Sequence, residues 1–228
     1  MENSQRLKEQ LGYEFRDLSL LRNALTHSSS INETHQQYYE NNERLEFLGD
    51  AVLETVISEH LYRSLPREEE GRLTRLRASI VCEESLAEIG QQLGVGQALV
   101  LGRGEEQSGG RKRNSMIADG VEAIIGAIYL DGGFEQAQKI VLRLFDSVIQ
   151  RAFEGKLHSD YKTALQERLQ VNGDVSIQYV LDRQEGPDHD KVFYTSVVVN
   201  GVILGSGRGR SKKEAEQNAA REAMKDMR

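Results

Sequence analysis

Three carboxylates close together on an otherwise apolar segment are the first chemistry in this chain. In residues 42–53, NERLEFLGDAVL, Glu43, Glu46 and Asp50 recur at i, i+3 and i+7, which at about 100° per residue gathers them on one face of a helix. Leu45, Leu48, Val52 and Val56 take the opposite face, and Phe47, Ile57 and Leu61 fall close to the acidic side, so the predicted helix is apolar nearly all round. Like charges so placed raise one another's pKa and oppose folding unless a cation neutralises them.

A second acidic pair, Asp119 and Glu122, lies at i, i+3 in residues 115–130, SMIADGVEAIIGAIYL, another very apolar helical stretch. Gly126 shares the face of that pair and Gly49 stands beside Glu46; without side chains, both allow two helices to approach closely. Together Glu46, Asp50, Asp119 and Glu122 make an all-oxygen donor set, which suits Mg²⁺ or Mn²⁺ rather than zinc. The ordinary alternative for either pair alone is a solvated face of surface carboxylates. Two pairs on apolar helices argue for a metal site.

The elements that must position these acids read as helices. In residues 18–29, LSLLRNALTHSS, Leu18, Leu21 and Leu25 are spaced i, i+3, i+7, with Asp17 as an N-cap and His27 as a structural residue at the end. The polar run 29–39 reads as a loop leading into the first acidic helix, which Pro66 ends. Two charge-dense helices follow, in which Glu68, Glu69, Glu70, Arg72, Arg75 and Arg77 form a solvated face, Cys82 is a buried thiol within a helical segment, and Gly94 and Gly96 close the pair. Residues 102–114, GRGEEQSGGRKRN, read as a flexible loop without a core residue, whose Arg111, Lys112 and Arg113 are candidate phosphate contacts. After a turn at Asp131-Gly132-Gly133 comes an amphipathic helix, 134–153, with Ala137, Val141, Leu144 and Val148 at helical spacing.

The periodicity changes after residue 153. A polar linker without core residues, 154–159, precedes a helix at 160–170. Alternating Val175, Ile177 and Tyr179, the β-branched run 193–199, and 202–204 beyond the Asn200-Gly201 turn are strand signals, and Ala215, Ala219 and Ala223 line one face of a closing helix. The expected architecture is an all-α domain at 1–153 and a small α+β domain, α-β-β-β-α, at 160–228.

The chain has 228 residues, a net charge of −7 and one cysteine. No eighteen-residue apolar run and a polar start predict a cytoplasmic protein without a membrane span or an internal disulfide. Residues 160–228 hold 11 basic and 11 acidic residues, so the rest carries the whole negative charge. Within that neutral part Arg208, Arg210, Lys212 and Lys213 crowd into a basic patch, the electrostatic footprint of a nucleic-acid partner. Lys212 and Lys213 at a helix start suit the phosphates of such a partner.

Phosphodiester hydrolysis needs a deprotonated water and stabilisation of the leaving oxygen. Paired divalent ions about 3.5–4 Å apart supply both, with no protein nucleophile or organic cofactor. No serine, cysteine or histidine constellation competes for the role.

The signature NERLEFLGDAVL, the LTHSS segment, the second acidic helix and the appended α-β-β-β-α unit together resemble bacterial ribonuclease III over essentially the full length, an endonuclease domain followed by a double-stranded RNA-binding domain. The resemblance implies Mg²⁺-dependent cutting of double-stranded RNA to 5′-phosphate products with short 3′ overhangs, in processing ribosomal and other structured transcripts, messenger and transfer RNAs among them. It implies that Glu46, Asp50, Asp119 and Glu122 coordinate metal, with Asp50 and Glu122 the most sensitive catalytically, and that Glu43 and Glu70 support catalysis near the RNA. Phe47 would be a homodimer-interface residue inserting into the other subunit. Duplex RNA hides its base edges and is read through phosphates and minor-groove hydroxyls, so the Gly186-Pro187-Asp188-His189 loop would meet one minor groove, Lys212 and Lys213 the phosphates, and Thr163, Gln166, Glu167 and Gln170 the other minor groove. Two further readings are a non-cleaving double-stranded RNA-binding regulator, marked by loss of a ligand carboxylate, and a small-molecule metal phosphohydrolase, which would usually show histidine ligands.

Overall fold

The computed structural model describes residues 2–34, 41–155, 157, 161–170, 175–187 and 191–225. The chain divides into two compact units, Met1–His158 and Ser159–Arg228.

The first unit is helical: α1 Glu2–Leu11, α2 Leu18–Ala24, α3 Ser28–Thr34, α4 Glu43–Ser64, α5 Glu70–Ile80, α6 Glu83–Leu93, α7 Val95–Ala98, α8 Arg103–Gln107, α9 Asn114–Gly132 and α10 Phe134–Phe153. The two acidic helices, α4 and α9, pack against each other at its centre. Leu53, Val56, Ile57 and Leu61 of α4 and Ile124, Ile125 and Ile128 of α9 are essentially solvent-free and anchor one continuous core. The contact between these helices is backbone on backbone. A methyl group on Gly49 would lie 1.8 Å from the Glu122 carbonyl oxygen, and one on Gly126 would lie 2.3 Å from that of Leu45. Both glycines predicted to allow close approach are therefore required by it. α9 runs through Asp131, whose carboxylate accepts from Tyr13 Oη at 2.7 Å and from the Arg16 and Asp17 amides at 3.0 and 2.8 Å, tying the start of α2 to the end of α9. The Asp131-Gly132-Gly133 turn is thus only Gly133, at φ 81°.

Several loop and linker expectations are corrected. The run 29–39 is helical as far as Thr34, because buried Ile31 anchors the turn and His27 Nδ1 accepts the Ser29 amide at 3.2 Å; residues 35–40 lie outside the described residues. Residues 102–114 are not an open loop: they form α8 and a 3-10 turn at Gly110–Lys112. Arg111 is the reason. Its guanidinium donates to the Gly96 and Leu99 carbonyls at 3.0 and 2.6 Å and pairs with Glu106 at 2.6 Å, while Arg113 pairs with Glu105 at 2.9 Å. Two of the three candidate phosphate contacts are thus engaged within the segment. Cys82 sits half-buried at the α5–α6 junction, not inside a helix, with its thiol 3.3 Å from the Ser79 carbonyl. The stretch 154–159 does carry a core residue, since Leu157 is 5% exposed and packs with the first unit. Nor is α4 apolar nearly all round, for Glu43, Arg44, Asp50, Thr55 and Arg63 stand exposed along it, and Phe47 and Tyr62 are exposed among them, 81% and 74%.

The second unit comprises α11 Tyr161–Gln170, strands β1 Ile177–Glu185, β2 Val192–Val199 and β3 Val202–Gly209 in an antiparallel sheet of order β1-β2-β3, and α12 Lys212–Lys225. Asn200 and Gly201 both have positive φ, 49° and 83°, the geometry of a two-residue hairpin turn. The alanine face of α12 lies flat on the sheet, with Ala215, Ala219 and Ala223 at most 1% exposed. β3 meets it with glycines: a methyl on Gly205, Gly207 or Gly209 would come within 2.2–2.6 Å of α12 backbone atoms. Among the described residues no helix is long and apolar enough to cross a membrane.

Candidate metal centre and nucleic-acid interface

Close packing of α4 on α9 brings three of the four predicted ligands together. Glu46, Asp119 and Glu122 are half-buried, and each offers a carboxylate oxygen within 4.8 Å of the others. Burial, then the charges of Asp50, Glu46 and Asp119, push the Glu122 carboxyl up to about 8. Glu46 is raised by burial, then by Asp119, Glu43 and Asp50. Asp119 is raised by burial and by Glu83, with His27 pulling the other way. Among the described residues no lysine or arginine pairs with Glu46, Asp119 or Glu122. An uncompensated, desolvated, oxygen-only set fits a hard divalent cation.

Asp50 and Glu43 are exposed on the same helix and act on the trio through their charge, although neither belongs to the close group. Glu70 stands apart. It lies in the first turn of α5, accepts from Thr74 Oγ1 at 3.0 Å, and is not among the charges that raise the three acids. Glu83 and His27 act on Asp119 but were not singled out as site residues from the sequence. A signal for Glu83 was available in principle, because it opens a helix of its own after the half-buried Cys82.

In the second unit, Gln166 and Gln170 of α11 and Lys213 and Gln217 of α12 border a groove floored by Val175 and Ile177. Lys212 is exposed at the first position of α12. Ser211 caps the helix and Glu214 reaches back over its start: the Glu214 amide donates to Ser211 Oγ at 3.1 Å, and Glu214 Oε2 accepts the Arg210 amide at 2.7 Å. This S-x-x-E signal was legible and fixes the helix start that carries the lysines. Lys162, missed from the sequence, pairs with Glu216 at 2.6 Å and lies over the Tyr179 ring at 4.4 Å. His189 and the side chains of Thr163 and Glu167 lie outside the described residues.

Comparison with known proteins adds to this geometry. The family model described as Ribonuclease-III-like matches residues 17–148, and the double-stranded RNA binding motif matches residues 161–227. The chain is 53% identical to Ribonuclease 3 of Pelotomaculum thermopropionicum over 96% of this chain and 90% of that protein. It is 49% identical to Ribonuclease 3 of Desulforamulus reducens over 99% and 92%. The nuclease domain of ribonuclease III from Campylobacter jejuni superposes with a TM-score of 0.59 at 44% identity, covering 65% of this chain and 97% of that one.

Proposed function

Because the chain belongs to the ribonuclease III family and is an endoribonuclease of double-stranded RNA, we propose that its metal centre is Glu46, Asp119 and Glu122 with Asp50 at the open edge. The observation that carries this reading is the half-buried carboxylate trio within 4.8 Å, raised in pKa and, among the described residues, without a lysine or arginine paired to it. Mg²⁺ is the physiological ion, with Mn²⁺ as substitute, because every donor is a carboxylate oxygen. When bound, a divalent ion supplies Lewis acidity that makes water a nucleophile and stabilises the leaving 3′ oxygen.

Each part of the chain has a task in this reading. Glu46, Asp119 and Glu122 bind and orient, held at fixed separation by the glycine contact of α4 and α9. Asp50, exposed beside them, accepts a hydrogen bond from the attacking water. Glu43 and Glu70 support the reaction close to the RNA. An acidic set repels phosphates, so affinity comes from residues 160–228, where Gln166, Gln170, Lys212 and Lys213, together with Thr163, Glu167 and His189, contact the duplex. The division is 1–153 for chemistry, 154–159 as linker and 160–228 for binding. Two copies pair through Phe47, exposed and apolar, so that one strand is cut at each site, leaving 5′-phosphates and short 3′ overhangs. The protein works in the cytoplasm on precursors of ribosomal, messenger and transfer RNA, the processing typical of the family.

The test is cleavage of a perfect RNA duplex with and without Mg²⁺, alongside a binding titration. Asp50→Ala and Glu122→Ala should each lose about 100-fold or more in cleavage while binding the duplex as the parent does. Undiminished cutting by either variant refutes the site.

A further inference from the structure

The RNA contacts proposed for the second unit sit on two different helices, Gln166 and Gln170 on α11 and Lys212 and Lys213 on α12. Duplex RNA presents its phosphates and minor-groove hydroxyls at fixed separations, so both groups can serve one duplex only if the two helices keep a fixed spacing. α12 takes its place from the sheet. It lies against Gly205, Gly207 and Gly209 of β3, and Asn218 Nδ2 donates to the Arg208 carbonyl at 2.8 Å. α11 contains no glycine and packs through side chains, with Leu165 buried in the small core and Leu169 against it.

Lys162 ties the two helices together. It stands at i, i+4 and i+8 with Gln166 and Gln170, so the three share one stripe of α11, and that stripe borders the groove opposite Lys213 and Gln217. From the start of the stripe Lys162 makes three separate contacts. Its Nζ pairs with Glu216 Oε2 of α12 at 2.6 Å, its amide donates to Gln217 Oε1 at 3.3 Å, and Nζ lies 4.4 Å from the centroid of the Tyr179 ring of β1. The Lys162 and Glu216 side chains are only 35% and 28% exposed, so the ion pair is partly shielded and the ammonium is held against the ring face. One residue thus joins α11, α12 and β1, and its charge is already met by Glu216.

We propose that Lys162 is a positioning residue for duplex binding: its bridge from α11 to Glu216 and the Tyr179 ring sets the spacing between Gln166 and Gln170 on one side and the lysines at the start of α12 on the other. This rests on those glutamines and lysines being the RNA contacts, as read above. When both groups meet one duplex at a fixed spacing, the second engages at high effective concentration, and that advantage falls once the spacing is free. The loss falls on the minor-groove contacts of α11, because Lys212 and Lys213 meet phosphates wherever α11 stands. Duplex RNA, whose 2′-hydroxyls α11 reads, is therefore affected more than duplex DNA.

The experiment titrates the full-length protein with a perfect RNA duplex and with a DNA duplex of the same length, in chelator so that nothing is cut, over a range of salt. Lys162→Met should bind the RNA about 10-fold more weakly and the DNA within about 2-fold of the parent, with the salt slope unchanged. Lys162→Glu combined with Glu216→Lys rebuilds the ion pair in reverse and should return RNA binding to within about 3-fold of the parent, whereas Lys162→Glu alone should not. This reversed pair decides the matter even where a single variant folds poorly. A salt slope shallower by about one in Lys162→Met shows a direct phosphate contact and overturns the proposal. An equal loss on RNA and DNA, which a merely structural lysine would give, also overturns it, as does a reversed pair that restores nothing. Gln166→Ala with Lys213→Ala is the control for the contacts themselves. If that variant binds RNA as the parent does, the reading of the RNA-facing side fails and the proposal with it. If it loses RNA while Lys162→Met keeps it, only the role of Lys162 is overturned.

Discussion

Replacing Glu122 by glutamine should stabilise the metal-free protein at alkaline pH, although it removes a ligand. The Glu122 carboxyl stands at about 8 in the folded chain against an ordinary 4.5. Between those values the unfolded chain has released its proton while the folded one retains it, so stability falls as pH rises through the window and the penalty is complete above it. At about 1.4 kcal/mol per pKa unit the gap would amount to about 5 kcal/mol. Glu122 is only half-buried, and solvent screening reduces this to about 1–2 kcal/mol. In a chain of this length that corresponds to a rise of roughly 2–8 °C in Tm for Glu122→Gln at pH 8.5. The gain should vanish near pH 4, where Glu122 is protonated in both states. The assay is calorimetric melting of parent and variant with a chelator across that pH range, repeated with excess Mg²⁺. With Mg²⁺ the order should reverse, since the parent alone keeps the full ligand set and gains more from binding. Parallel Tm curves for the two proteins without metal would refute the electrostatic account of the centre.

Three further outcomes follow from the same structure. Gly49→Ala drives a methyl into the Glu122 carbonyl and should cost about 3 kcal/mol or more in urea unfolding, with loss of cleavage; an unchanged unfolding midpoint contradicts the close helix contact. Phe47→Arg should give the monomer mass in light scattering at micromolar concentration, and a persisting dimer would move the interface elsewhere. A chain ending at His158, which keeps Leu157 on its core, should bind duplex RNA weakly and with a salt slope shallower by about one for each of Lys212 and Lys213 lost; unchanged affinity would place recognition in the wrong half.

The acidic centre was legible because both halves of it sit on long apolar helices, where carboxylates conflict with their surroundings. The glycines at 49 and 126 were legible for the same reason, as small residues beside charges. What was not legible depends on contacts far apart in sequence. Residues 102–114 look like loop because glycine and charge dominate, yet Arg111 finds the Gly96 and Leu99 carbonyls and folds the segment. Leu157 is a single apolar residue among polar ones, and only the neighbouring core gives it meaning. His27 and Glu83 act on Asp119 through their charge from separate parts of the chain, and no spacing rule connects them. In the small domain the hairpin turn and alanine stripe were plain, while β3 was read as ending at Leu204 because Gly205, Gly207 and Gly209 weaken any strand signal.

Those three glycines bear on how a unit of this size holds itself together. Its buried apolar cluster is small, centred on Leu165, Val197, Val199 and the α12 alanines. A joint made of glycine and alanine surrenders almost no side-chain rotamer freedom on folding, because neither residue has any to lose. The backbone cost of ordering glycine is met within a paired strand, where the ladder already fixes the chain. The domain therefore gains close contact along a whole helix with little side-chain entropy spent. The same thinness leaves α12 no room to roll or slide, so the lysines at its start are presented by a rigid platform rather than by a mobile arm.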